Sequence, residues 1–356
     1  LSLFSGIGGL DIAASWAGIE TAAFCEIEPY PVEILKRRWP DVPILPDVRE
    51  IDGRDWSVDV VHGGFPCQDL SVAGKQVGLS GERSGLWFEM LRVISECRPR
   101  FVVAENVRGA VNLALDTVVA GLEGEGYKVR PLVLPASAFG APHQRERLFV
   151  VGVRADVADS LNERFQGGER GFSFLEPGAS AHEPASQCGE GGGSLWPTPT
   201  VGTSGGVKLC GGSGHWEMLK AGVGIDEARK MGAGNGGQLN PDWVECLMGY
   251  PLGWTDVDCE TPEPWPGWPA LMGERVWGTH TATFSVRSPK FISDSVSPSE
   301  FVAKGMSADQ YPYEPPRTVT GCRNRAKWLK CLGNSVVPQQ AYPIFRAIAY
   351  LEEVSA

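Results

Sequence analysis

The chain has 356 residues, 42% of them hydrophobic and 21% charged, enough for about two domains with a sizeable core. No apolar run approaches the roughly 18 residues that a membrane-spanning helix needs, and no secretory signal is legible, so an integral membrane reading is excluded. Nine scattered cysteines without a C-x-x-C pair point to reduced thiols in a cytoplasmic setting, with no disulfide framework and no structural zinc. The net charge of -11 opposes nonspecific binding to polyanions and restricts any nucleic-acid contact to a local basic face.

Short apolar runs alternate with helical-period stretches from Leu1 to Arg154, the pattern of βα units around a mostly parallel sheet. Strands are predicted at Leu1 to Phe4, Thr21 to Glu26, Val58 to Gly63, Phe101 to Glu105, Tyr127 to Leu134 and Leu148 to Val153. The first of these starts at once, so the chain is expected to begin inside an element. Helices are predicted at Leu10 to Ala17, Pro31 to Arg38, Leu86 to Cys97 and Leu113 to Glu125. The expected fold is α/β, doubly wound and Rossmann-like, with ligands at the carboxyl ends of the strands.

After Arg154 the texture turns to Gly, Ser, Pro and Trp, and Gly189 to Gly193, Gly232 to Gly237 and Thr261 to Pro269 read as turns or linkers. A helical pattern returns from Pro338 to Glu353 after a Gly-Asn-Ser turn and is expected to pack back on the first domain. The expected division is therefore 1–154 for catalysis and cofactor binding, 155–330 for a smaller irregular recognition region, and 331–356 for a returning motif and helix.

Several residues along the strand ends could carry chemistry. Phe4-Ser5-Gly6-Ile7-Gly8-Gly9-Leu10-Asp11 follows a strand and opens a helix, so its glycines permit a tight turn and a close ligand approach. The spacing is not the G-x-G-x-x-G of a dinucleotide site, and a turn without a ligand is the alternative. Glu26, about 20 residues on, stands where such folds place a carboxylate for ribose hydroxyls. Asp47 could reach an adenine amino group, although an Asp after Pro is often only a turn residue.

Gly64-Phe65-Pro66-Cys67-Gln68 puts a thiol on a loop at the functional edge, as a nucleophile or as an inert buried Cys. Glu105-Asn106-Val107 ends a neighbouring strand, with catalytic acid and turn-capping roles both open. Gln144-Arg145-Glu146-Arg147 is either a solvated charge run or guanidinium support for an anion or for Glu105.

The order F-S-G-I-G-G, G-F-P-C-Q, E-N-V, R-E-R and G-N-S-V-V-P-Q resembles the DNA (cytosine-5)-methyltransferases. It covers residues 1 to 153, Leu239 to Pro251 and Cys331 to Ala349, and the last two are its recognition-domain and C-terminal motifs. The resemblance implies transfer of a methyl group from S-adenosylmethionine to C5 of a flipped-out cytosine in a specific duplex sequence, with S-adenosylhomocysteine as product and no metal. Cys67 would attack C6, Glu105 would engage N3 and the exocyclic amine, and Arg145 and Arg147 would steady the base and the carboxylate.

The matched cofactor positions are Phe4, Gly6, Ile7, Gly9, Leu10, Glu26 at the ribose, Ile27, Asp47 at the adenine, Val48, Gly64, Pro66, Leu86, Asn334, Ser335 and Val336. Gln68, Ser71, Asn106 and Val107 match substrate-contacting positions, and Ser71 to Arg83 matches the loop that closes over DNA. His143 stands where the family more often has Gln, and Thr255 to Thr320 is longer than in compact members.

Double-stranded DNA is the implied partner, a cognate restriction endonuclease acting on the same site is another, no membrane is involved, and a monomer is the expectation. Methylation of a structured RNA is the neighbouring alternative. A silent DNA-binding module is disfavoured by the intact motifs, and a nicotinamide oxidoreductase by the glycine spacing and the P-C-Q thiol.

Overall fold

The computed structural model describes residues 1–66, 85–141, 143–165, 199–201, 207–209, 238–265, 315–316 and 318–355. The chain divides into two compact units, one formed by Leu1–Leu134, Glu146–Ser180 and Ala341–Ala356, the other by Pro135–Arg145 and Ala181–Gln340.

The first unit is built on a seven-stranded sheet of order β3-β2-β1-β4-β5-β7-β6. Its strands are β1 (Ser2–Leu3), β2 (Phe24–Cys25), β3 (Ile44–Leu45), β4 (Val60–Gly64), β5 (Phe101–Val107), β6 (Tyr127–Leu134) and β7 (Arg147–Arg154). The pairs from β3 to β5 are parallel, and β7 runs antiparallel to both β5 and β6. This is the doubly wound α/β class, with one reversed strand inserted near an edge.

Helices α1 (Gly9–Trp16), α2 (Pro29–Arg38), α3 (Gly85–Cys97), α4 (Leu115–Gly124) and α5 (Ala155–Phe165) connect or follow these strands. Alternate side chains of the strands face opposite sides. Val61, Val102, Ala104, Leu148 and Val150 form one core with Trp87, Met90, Val93 and Ile94 of α3 and Val118 and Leu122 of α4. On the other face His62 meets Asp11 of α1 and the ring of Phe345. Phe345 belongs to the C-terminal helix Pro338–Ser355, whose Ile344, Ile348 and Leu351 are also buried.

Two elements depart from the sequence reading. β3 is only two residues between Pro43 and Pro46, too short to show a period. Residues 155–165, grouped by texture with the second region, form α5 against β6 and β7, because Val157, Ala158 and Leu161 bury an apolar stripe there. The Gly189 to Gly193 and Gly232 to Gly237 stretches lie outside the described residues.

In the second unit β8 (Pro199–Val201) pairs with β9 (Val207–Leu209), and β10 (Gln238–Leu239) with β11 (Thr318–Val319), both antiparallel. Helix α6 (Pro241–Met248) starts at Asn240, whose side chain accepts the Asp242 N–H, and stops at Gly249, whose φ of 75° lies in the left-handed region. Helix α7 (Arg325–Asn334) packs against α6 and the β8–β9 pair. The C-terminal helix, α8, begins at Pro338 directly after this unit's Ser335–Val337 turn.

Glu245 of α6 is fully buried, and its carboxyl accepts hydrogen bonds from Gly253 N–H at 2.6 Å, Thr255 N–H at 2.7 Å and the Thr255 hydroxyl at 2.6 Å. Burial outweighs those donors and pushes the carboxyl up to about 7. The folded form thus holds a proton that the unfolded chain releases near its ordinary carboxylate pKa. The corresponding stability is present below that value and lost as pH rises toward 7, an effect on the order of 1–3 kcal/mol. Urea midpoints between pH 4.5 and 7.5 are expected to fall with rising pH, and Glu245→Gln should flatten that part of the slope; an identical slope in the variant would remove Glu245 as its source.

Candidate functional site at the carboxyl edge of the sheet

Near the middle of the sheet β1 is flanked by β2 and β4. Ser2 and Leu3 lie opposite Phe24 and Cys25 on one side and His62 and Gly63 on the other. A β-carbon at Gly63 would stand 2.3 Å from the Leu3 carbonyl oxygen, so only glycine lets β4 lie this close. The turns leaving β1 and β4 therefore emerge side by side.

The turn after β1 winds through left-handed residues: Phe4 at φ 53°, Gly6 at 55° and Gly8 at 77°. Gly8 caps α1, and a side chain there would run into the Trp39 ring. The Gly6 N–H donates to Glu26 Oε2 at 2.7 Å, and the Glu28 N–H donates to Glu26 Oε1 at 2.8 Å. Glu26 is 9% exposed, and burial raises its carboxyl from the ordinary value against the pull of these backbone donors. Glycine turn and acid, 20 residues apart in sequence, are thus one hydrogen-bonded unit.

Around it, Ile7 and Leu10 are buried, Gly9 is the first residue of α1, and Ile27 is 64% exposed beside Glu26. A carboxylate for ribose hydroxyls beside an exposed apolar side chain for a flat base fits a nucleoside-bearing cofactor. Asp47 caps a short turn through the Arg49 N–H and pairs with the Arg49 guanidinium at 2.6 Å, which holds its carboxyl below the usual range. Val48 is buried, and Leu86, on α3, is partly buried against the core.

The second cluster spans β4, β5 and β7. Gly64 lies opposite Glu105 in register, and a β-carbon at Gly64 would come within 2.7 Å of Glu105 Oε2. Because β7 is reversed, its first residue stands at the carboxyl edge, and Arg147 Nε reaches Glu105 Oε1 at 2.9 Å. The two side chains are 11% and 13% exposed, enough shelter to strengthen the pair and enough opening for a ligand to reach the acid.

Asn106 faces the opposite side. Its amide donates to the Phe65 carbonyl at 3.2 Å and accepts the Val107 N–H at 2.8 Å, tying the end of β5 to the backbone next to Pro66. Val107 is exposed. Beyond it Arg108 pairs with Glu146 at 2.5 Å, a contact the sequence did not reveal because 38 residues separate the partners.

Arg145 is placed differently from Arg147. It belongs to the second unit, is 2% exposed with φ 33°, and donates to the carbonyls of Gly333 at 2.8 Å and Ser335 at 2.5 Å. Its own carbonyl accepts from Gln340 Nε2 at 2.8 Å. Tyr250 donates to the Val336 carbonyl at 2.9 Å, and Ser335 Oγ to Leu332 O at 2.9 Å, so Ser335 and Val336 sit in a held turn after exposed Asn334. His143 Nε2 lies 3.0 Å from the Leu247 carbonyl.

Cys67, Gln68 and Ser71 to Arg83 lie outside the described residues. Among the described residues no His, Cys, Asp and Glu cluster could hold a metal, and no helix is long and apolar enough to cross a membrane. Replacing Arg147 by Ala would leave a sheltered carboxylate without its cation, at an expected cost of about 1–3 kcal/mol. Paired denaturation curves of Arg147→Ala and of the doubly substituted Glu105→Gln, Arg147→Ala protein check this: the second change should recover part of the loss, and strict additivity would deny the coupling.

Residues 1–175 match the model of the C-5 cytosine-specific DNA methylase family. The Type II methyltransferase M.NgoFVII of Neisseria gonorrhoeae is 36% identical over 210 residues, 57% of this chain and 51% of that protein. M.Eco47II of Escherichia coli is 36% identical over 170 residues, 46% of this chain and 41% of that protein. The chain thus spans about half the length of these relatives or somewhat less. M.AquIA of Picosynechococcus sp. is also 36% identical, over 224 residues that make up 56% of this chain and 85% of that protein. With most of that relative covered and the methylase model matched along the whole motif-bearing edge, the chain belongs to the C-5 cytosine-specific DNA methylase family.

Proposed function

We propose that the chain is a DNA (cytosine-5)-methyltransferase that methylates C5 of a cytosine within a specific duplex sequence. The observation that carries this reading is the Glu105–Arg147 pair at the carboxyl edge, next to the Gly64-Phe65-Pro66 segment that leads directly into Cys67. C5 and C6 of a paired cytosine are hidden in the stack, so the target base is flipped out before reaction.

Bound S-adenosylmethionine supplies an electrophilic methyl group on a sulfonium, in the place that Gly6, Glu26 and Ile27 shape. The Cys67 thiolate forms a bond to C6, and the π electrons shift toward C5. Glu105, having taken a proton from solvent on its oxygen away from Arg147, donates that proton to N3 as negative charge builds on the ring and accepts a hydrogen bond from the exocyclic amine, while Arg147 fixes the carboxyl group. C5 takes the methyl group, then loses its proton to a base, and the returning electron pair restores the 5,6 double bond and expels the Cys67 thiolate. The products are 5-methylcytosine and S-adenosylhomocysteine.

Asp47, Val48, Pro66, Leu86, Asn334, Ser335 and Val336 are proposed as further cofactor positions, and Gln68, Ser71, Asn106 and Val107 as substrate positions. Arg145 is proposed to support the reaction through the turn it holds. The Type II designation of the relatives supports a cognate restriction endonuclease as partner.

Transfer of labelled methyl from S-adenosylmethionine to mixed DNA and to tRNA, read by nucleoside mass spectrometry, tests the proposal. Label as 5-methylcytosine in DNA is expected, abolished by Cys67→Ser with cofactor binding nearly intact. Label only in RNA, or undiminished transfer by Cys67→Ser, overturns it. Glu26→Ala removes the acceptor for two ribose hydroxyls and should weaken cofactor binding by about 10- to 100-fold; calorimetry showing unchanged affinity would take Glu26 out of the site.

A further inference from the structure

The turn after β1 is strained at Phe4, whose φ of 53° lies in the left-handed region that a bulky side chain rarely adopts. A backbone of that kind persists only where its surroundings over-determine it. Ser5, between Phe4 and the left-handed Gly6, supplies much of that determination. Its N–H donates to the Cys25 carbonyl at 3.0 Å, and its carbonyl accepts the Gly8 N–H at 2.9 Å. Its hydroxyl accepts the Cys25 N–H at 3.2 Å and has the carbonyls of Ser2, at 3.1 Å, and Cys25, at 3.3 Å, as acceptors for its single proton.

These bonds act on Glu26 from both of its ends. Cys25 immediately precedes Glu26, whose own N–H continues into the next strand pair, to the Leu45 carbonyl at 3.0 Å. Gly6 immediately follows Ser5, and its N–H is the donor to Glu26 Oε2 at 2.7 Å. A Ser5 hydroxyl fixed to Cys25 therefore sets the main chain that carries the acid and also the amide that orients its carboxylate.

The pairing of the strands does not call for this hydroxyl, since β1 and β2 are already in register at Ser2 and Leu3. Nor does the core call for it. The Ser2 hydroxyl turns inward and donates to buried Asp11 at 3.0 Å, whereas Ser5 is only half-buried at the edge. Alanine at Ser5 would keep the backbone bond to the Cys25 carbonyl and lose the side-chain links alone. What the hydroxyl adds is the aim of one carboxylate.

Resting on the methyltransferase reading, we propose that Ser5 is a positioning residue for S-adenosylmethionine: its hydroxyl locks the glycine turn to the end of β2 and holds the Glu26 carboxylate where the ribose hydroxyls meet it. Ser5 does not touch the cofactor and acts through Glu26. An acceptor held in its bound orientation loses less freedom when the ligand arrives, and the affinity is higher for it.

The experiment is calorimetry of S-adenosylhomocysteine binding, together with steady-state methyl transfer to DNA, on the full chain and its variants. Ser5→Ala should weaken binding by about 5- to 20-fold, the loss of one or two ordinary hydrogen bonds. In turnover that loss should fall on KM for the cofactor, with kcat and KM for DNA within about twofold of the parent. Ser5→Thr keeps the hydroxyl and should recover most of the affinity. Added to Glu26→Ala, Ser5→Ala should weaken binding by less than about twofold further, because the carboxylate it acts through is gone.

Equal affinity in the parent and Ser5→Ala, with methyl transfer intact, overturns the inference and leaves the methyltransferase reading standing. Losses that multiply in full in the double variant also overturn it, since Ser5 would then act without Glu26. So does an affinity of Ser5→Thr no better than that of Ser5→Ala, or a fall in kcat as large as the rise in cofactor KM. A parent that neither binds S-adenosylhomocysteine nor methylates DNA overturns the methyltransferase reading, and the inference with it.

Discussion

The architecture of the edge depends on the closeness of β1 and β4. Gly63 has no side chain where the Leu3 carbonyl passes, and the strand pair closes to a distance that any β-carbon would forbid. Because that pair is in the middle of the sheet, the glycine turn after β1 and the Pro66 segment after β4 leave from adjacent points. The acid on β2 and the acid on β5 then flank them, one on each side. The candidate site is a consequence of strand order: Glu26 lies just past β2, Glu105 near the end of β5 and Arg147 at the start of β7.

The reversal of β7 is the second half of that geometry. A parallel strand in its place would deliver its carboxyl end to the edge, and Arg147, its first residue, would lie at the far side of the sheet. Antiparallel pairing instead sets Arg147 opposite Val107 and diagonal to Glu105 on the same face. The ion pair is short and sheltered, and it is held by two strands whose backbones are paired along their whole length. Such a carboxylate has little freedom to turn, which suits the base-orienting role proposed for it.

Much of this was legible in the sequence because strong periodicity and fixed spacing carry it. The strands β1, β2 and β4 to β7, the helices α1 to α4 and the C-terminal helix all rest on apolar patterns. The pairing of glycine turn and Glu26 followed from the spacing of a βα unit. What escaped reading was short or nonlocal. β3 is a two-residue run closed in by Pro43 and Pro46, α5 lies past a change in texture, and the Arg108–Glu146 pair joins distant positions. Arg145 and Arg147 looked equivalent as neighbours in a charge run, yet one faces an acid and the other a set of backbone carbonyls. No spacing rule separates two such arginines, since the difference arises where a strand begins.

Asn106 shows how narrow the chemical tolerance at this edge is. Its side chain gives a proton at one end, to the Phe65 carbonyl, and takes one at the other, from the Val107 amide. A primary amide offers the donor and the acceptor on two separate atoms. Hydrolysis of that amide to an acid, the common ageing reaction of asparagine, would replace the donor with an oxygen and set it against the Phe65 carbonyl, lone pair against lone pair. One atom's exchange, with no change in size, would set repulsion between the end of β5 that carries Glu105 and the Phe65 backbone that leads to Cys67.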